Sequence, residues 1–109
     1  MPRDGLAYVQ DMLEAIVRIR EYTQGIDRNA FERDRKTVDA VLRNLEIIGE
    51  AAKGVPRSVQ ERAPDIEWRK IAGMRDLLAH AYFQVDLDIV WSVLGENLRA
   101  LELRVRELL

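Results

Sequence analysis

The sequence predicts an all-α fold, a bundle of about five helices in which two long up-and-down helices and a long closing helix accompany a short irregular pair. Three observations support it. Apolar residues recur at steps of three and four along three long segments, no segment alternates with period two over a useful length, and Pro and Gly gather between the periodic runs. With 109 residues the chain fits one domain, 1–109, since single cores commonly take about 100 to 150 residues.

The first helix is expected from Asp4 to Gln24. Leu6, Val9, Leu13, Ile16, Ile19 and Tyr22 form its apolar stripe, Asp11, Glu14, Arg18 and Glu21 its solvated face, and Gly25 suits the left-handed residue that ends it. The polar stretch from Ile26 to Asp34 reads as a connection with a helical turn anchored by Phe31. From Arg35 the period resumes through Val38, Val41, Leu42, Leu45, Ile48 and Ala52, stopping at Gly54 before Pro56. Gly49 inside that run costs roughly 1 kcal/mol against Ala unless something uses its missing side chain, so another helix is expected to approach closely there.

Pro56 opens a short helix expected to reach Ala63, and Pro64 ends it. Asp65 is expected to cap a fourth helix through Trp68 and Ile71, with Gly73 as a point of weakness. After a break at Gln84-Val85-Asp86, Asp86 caps the closing helix, whose stripe is Ile89, Val90, Val93, Leu94, Leu98, Leu101, Val105 and Leu108. Trp91 falls beside that stripe and is expected to face another subunit.

Composition narrows the function classes. An apolar content of 48% with 33% charge is that of a globular domain rather than a disordered one. The absence of cysteine excludes disulfides and thiolate chemistry in this chain. The N-terminus lacks a basic-then-apolar signal segment, and no run of about 18 apolar residues occurs, so a cytoplasmic location without membrane association is expected. A net charge of −2 provides no global basic field, so any contact with RNA must be local.

Chemistry concentrates in Met74-Arg75-Asp76-Leu77-Leu78-Ala79-His80-Ala81-Tyr82, which holds the chain's single histidine. At about 100° per residue Arg75 and Tyr82 lie nearly one above the other, whereas Arg75 and His80 are about 140° apart. Either the helix ends near His80 and lets its ring swing toward the arginine, or the site combines two chains. Asp76 and His80, four apart, are neighbours, and Asp76 could fix which ring nitrogen is free to act. These residue types suit metal-free phosphodiester cleavage: histidine exchanges a proton near neutral pH, and arginine offers a fork to phosphate oxygens. One histidine cannot be base and acid at once, which is a chemical reason to expect a symmetric dimer. Glu46 and Glu50, at i,i+4, read as a solvated face rather than a metal pair. Asn44 and Glu46 would reach the site if the second long helix packs on it.

Arg75, Asp76, His80 and Tyr82 match the R-x4-H-x-Y signature, with a polar residue after the arginine, of the HEPN superfamily. The chain as a whole resembles HepT toxins of the HepT/MntA toxin–antitoxin systems. Three blocks carry the likeness: Asn44 to Lys53 (NLEIIGEAAK), Trp68 to Arg75 (WRKIAGMR) and Tyr82 to Trp91 (YFQVDLDIVW). The resemblance implies a HEPN-like helical bundle and a type VII toxin, a metal-independent endoribonuclease that needs no cofactor and cleaves mRNA or tRNA as a homodimer. By position, Arg75 would contact the scissile phosphate, His80 would be the acid/base, and Asp76 would fill the polar position. Tyr82, beside the RNA or nucleotide site with Arg75, would be the residue that an MntA-like nucleotidyltransferase antitoxin modifies with AMP, the dimer alone or a larger complex with the antitoxin being the assembly implied. The alternative is a non-catalytic HEPN module that binds nucleotide or such a partner. Asp76 stands where Asn is frequent and Ala81 where Gly is; the first adds a negative charge beside the phosphate site.

Overall fold

The computed structural model describes residues 3–80 and 86–109, with Leu77, Ala79 and His80 described through their backbone. Among these residues all regular structure is helical. Helix α1 spans Gly5–Thr23, α2 Arg28–Arg33, α3 Arg35–Gly54, α4 Arg57–Gln60 and α5 Trp68–His80; α6 (Leu87–Ser92) and α7 (Leu98–Leu108) complete the chain.

The two long helices form where their stripes predict. Asp4 caps α1, its carboxylate accepting from the Leu6 N–H at 2.9 Å, and Gly25 follows the helix at φ 76°. Val9, Met12, Ala15, Ile16 and Ile19 are sealed from solvent against Val41, Leu45 and Ile48 of the core. Phe31 anchors the one-turn α2 and is fully buried. Asp34 then starts α3 by accepting from the Thr37 amide at 3.2 Å and hydroxyl at 2.7 Å. The hydroxyl contact, then the amide, holds the Asp34 carboxyl below its usual range.

Helix α3 is the central element, packed on α1 along one side and on α5 along another. Both neighbours run antiparallel to it. The start of α1 meets the end of α3, where a Cβ on Gly54 would strike the Tyr8 ring. The middle of α5 crosses α3 at Gly49, where a Cβ would stand 2.9 Å from both the Arg75 nitrogen and the Ile71 oxygen. The close approach expected from a glycine in a buried stripe is therefore present.

Three expectations require correction. Asp65 does not cap α5: the first helical bond runs from the Ile71 N–H to the Glu67 carbonyl at 3.0 Å. The Asp65 carboxylate instead accepts from Arg104 Nε at 2.9 Å and Nη2 at 2.7 Å. This bidentate contact holds it away from the helix amides and lowers its pKa. Helix α4 is also shorter than the expected 56–63; beyond it the chain turns, with Ala63 and Ile66 buried and Trp68 Nε1 donating to the Ala63 carbonyl at 3.0 Å.

The closing helix, expected to be continuous, is divided. Asp86 caps α6 as expected, accepting from the Asp88 N–H at 2.8 Å. Between Val93 and Asn97 the backbone widens into a π turn, and Gly95 leaves helical dihedrals at φ −78° and ψ −110°. The expected stripe is buried on either side of the break at Val90, Leu98, Val105 and Leu108, whereas Ile89 is 63% exposed. Glu102 is also buried, held by Arg20 at 3.0 Å and Arg106 at 3.0 Å, and its link to Arg20 ties α7 to α1. Trp91 is half-buried and packs on Phe31 of its own chain, with ring centroids 5.2 Å apart. No helix among the described residues is long and apolar enough to cross a membrane.

Candidate functional site

Arg75 stands at the α3–α5 crossing. Gly49 lets the backbones meet, and the next residue of α3, Glu50, rises beside the arginine with its Oε2 2.6 Å from Nε. Asp76, the following residue of α5, accepts from Arg75 Nη1 at 3.1 Å. One guanidinium thus faces two carboxylates from two helices. Its third nitrogen, Nη2, has no partner among the described residues.

A groove of about 400 Å³ opens at Arg75 and runs between α3 and the start of α1 to Tyr8. Four cations (Arg3, Arg43, Lys53 and Arg75) and three carboxylates (Asp11, Glu46 and Glu50) line it. Most are matched locally: Arg3 lies 2.7 Å from Asp11, and Arg43 3.6 Å from Glu46. The Arg3 guanidinium also stacks on Tyr8, 4.6 Å from the ring centroid. Charged side chains dominate the lining, which suits a solvated, charged ligand.

Of the residues singled out in the sequence, Arg75 and Asp76 are in contact, and His80 lies on α5 with them. The expected Asp76–His80 contact involves a side chain outside the described atoms, and Tyr82 lies outside the described residues. Glu46 reaches the groove as expected once α3 packs on α5. Asn44 does not reach it: the residue is buried and its Nδ2 donates to the Ala40 carbonyl of its own helix at 2.9 Å. Its Oδ1 has no partner among the described residues.

Glu50 was legible only as half of a carboxylate pair with Glu46. The two face different arginines, Glu46 toward Arg43 and Glu50 toward Arg75. The available signal was its position directly after Gly49. A glycine that brings two helices together also brings its neighbour's side chain within reach of the second helix.

Comparison with known proteins agrees with this architecture's family. The chain is 44% identical over 102 residues to "Probable ribonuclease HepT" of Thermococcus cleftensis, covering 94% of this chain and 93% of that protein. It is 37% identical over 102 residues to "Putative RNase TTE0752" of Caldanaerobacter subterraneus subsp. tengcongensis, covering 94% and 91% of the two chains. A Methanocaldococcus jannaschii protein, "Putative RNase MJ1380", is 36% identical over 95 residues, covering 87% of each. No solved structure matches. The family model for HepT-like proteins, described as Ribonuclease HepT-like, matches residues 12–108, nearly all of α1 to α7, and the chain belongs to this family.

Proposed function

We propose that this protein is a metal-independent endoribonuclease, the toxin of a type VII HepT/MntA-like toxin–antitoxin pair. The observation that carries the proposal is the placement of Arg75, whose Nη2 has no partner among the described residues, in a groove lined largely by charged side chains and on the same helix as His80. The ribonuclease names of the relatives supply the substrate class. In the reaction proposed, the RNA 2′-oxygen attacks the adjacent phosphorus while one His80 imidazole takes its proton. The bond from phosphorus to the 5′-oxygen breaks, and a second, protonated His80 from the other subunit of a homodimer gives that oxygen a proton. The products are a 2′,3′-cyclic phosphate and a 5′-hydroxyl. Arg75 stabilises the charge that builds on the non-bridging oxygens. Asp76 keeps the Arg75 fork and the adjacent ring in register.

Purified protein incubated with total RNA in EDTA is expected to release fragments ending in 2′,3′-cyclic phosphate or its hydrolysis product. Equal cleavage by His80→Ala would refute the assignment. Co-purification with a nucleotidyltransferase and no RNA cleavage would assign the non-catalytic binding role instead.

Silencing is proposed to act through Tyr82. Its phenolic oxygen attacks the α-phosphorus of ATP in the active site of an MntA-like partner, pyrophosphate leaves, and AMP remains attached. The added phosphate brings negative charge and bulk to the place where an RNA phosphate must bind. Incubation with the partner and ATP should add the mass of one or more AMP units, and an unchanged gain in Tyr82→Phe would refute the choice of residue.

A further inference from the structure

We infer that Glu50 is the positioning residue of Arg75, a carboxylate on α3 that fixes the plane of the guanidinium and leaves Nη2 for the RNA phosphate. This rests on the phosphate-binding role proposed above for Arg75. Four features support it. The contact is made at Nε, 2.6 Å from Oε2, so the carboxylate grips the stem end of the guanidinium rather than its two terminal nitrogens. Asp76, on the same helix as Arg75, holds Nη1, and two holds on one planar group define its orientation. Gly49 makes the reach possible, since any larger residue there would part the helices. Finally, the Glu50 and Arg75 side chains remain 61% and 38% exposed, and an ion pair this open adds little to folding stability.

The physical value of such a hold is entropic. An arginine side chain has many rotamers, and a free one must lose them as the charged phosphorane forms. A guanidinium already fixed by Glu50 loses less at that moment. The negative charge has an opposing effect, because it faces the incoming RNA. Glu50 therefore favours turnover at some expense to ground-state binding, and the two effects separate in kcat and KM.

The test uses the full chain and three variants, with Glu46→Ala as a control on the same groove. Glu50→Ala should lower kcat about tenfold, by the general sensitivity of turnover to misplaced groups, while KM does not rise. Glu50→Gln retains an acceptor oxygen at the same reach and should keep kcat within about threefold of the wild type. Melting temperatures of all variants should stay near that of the wild type, because the side chain is exposed and alanine and glutamine both suit a helix. A readout independent of activity is the Arg75 Nε–H cross-peak in a nitrogen–proton NMR spectrum, assigned by its absence from Arg75→Lys. It should be protected from exchange in the wild type and Glu50→Gln and lost in Glu50→Ala. An unaltered cross-peak or wild-type kcat in Glu50→Ala would overturn the inference, as would equal impairment of Glu50→Gln and Glu50→Ala. If the wild type cleaves no RNA while the cross-peak still depends on Glu50, the ribonuclease proposal fails and the positioning of Arg75 stands.

Discussion

Arg75→Ala is expected to lower RNA cleavage by about 10²–10³-fold, the usual cost of removing one preorganised donor from a charge-stabilising site. The loss should be confined to activity. Both ion pairs of Arg75, to Glu50 at 2.6 Å and to Asp76 at 3.1 Å, are open to solvent, and exposed pairs contribute about 0–1 kcal/mol. Circular dichroism melts should therefore nearly superimpose while the cleavage rate falls. Arg75→Lys should recover only a small part, because an ammonium restores the charge and not the planar fork. A variant that cleaves at the wild-type rate would remove Arg75 from the mechanism.

Gly49→Ala should destabilise the fold, against the usual preference for alanine in a helix. Helix propensity alone favours alanine by about 1 kcal/mol. At this position the added carbon would stand 2.9 Å from the Arg75 nitrogen and the Ile71 oxygen, both backbone atoms that cannot rotate away. Overpacking of this kind costs about 1–3 kcal/mol, and for a chain of this size each kilocalorie lowers Tm by about 4–8 °C. Gly73, on α5, provides the contrast. A Cβ there meets nothing within 4 Å and the residue is exposed, so Gly73→Ala should raise stability by up to about 1 kcal/mol. Thermal or urea melts of the two variants, made side by side, should move in opposite directions. A stabilised Gly49→Ala would mean that α3 and α5 do not meet as described.

The sequence was most legible where a local rule and the tertiary packing agree. The stripes of α1 and α3 identify both helices because each buries one face along its whole length. Phe31 announces its turn because a lone aromatic in a polar stretch has to be buried. Gly49 was legible for a related reason: a glycine in the buried stripe of a long helix costs stability unless a neighbour occupies the space.

The misreadings share a different origin. Asp65 has the composition and place of a cap, but Arg104, 39 residues away, reaches its carboxylate with two nitrogens. Gly95 breaks the closing helix although the apolar period continues across it, since periodicity records which residues prefer burial and not whether the backbone stays helical between them. The Trp91–Phe31 contact was not legible because Phe31 lies in a connection that periodicity does not orient. The same holds for the site. Arg75 and Asp76 stand together in one short motif, although Asp76 was expected to serve His80, whereas the Glu50–Arg75 pair joins two helices and became visible only with their crossing.

The most direct test of a site shared between two chains is to dilute its histidines. Wild-type and His80→Ala proteins, unfolded and then refolded together at constant total concentration, should form mixed dimers that hold one histidine where the proposed reaction uses two. Cleavage in EDTA should then fall as the square of the wild-type fraction, to about a quarter at equal mixing. Cleavage that falls only in proportion to the wild-type fraction, to about half, with native mass spectrometry confirming mixed dimers, would contradict a composite site. A wild-type protein that is monomeric at micromolar concentration would do the same.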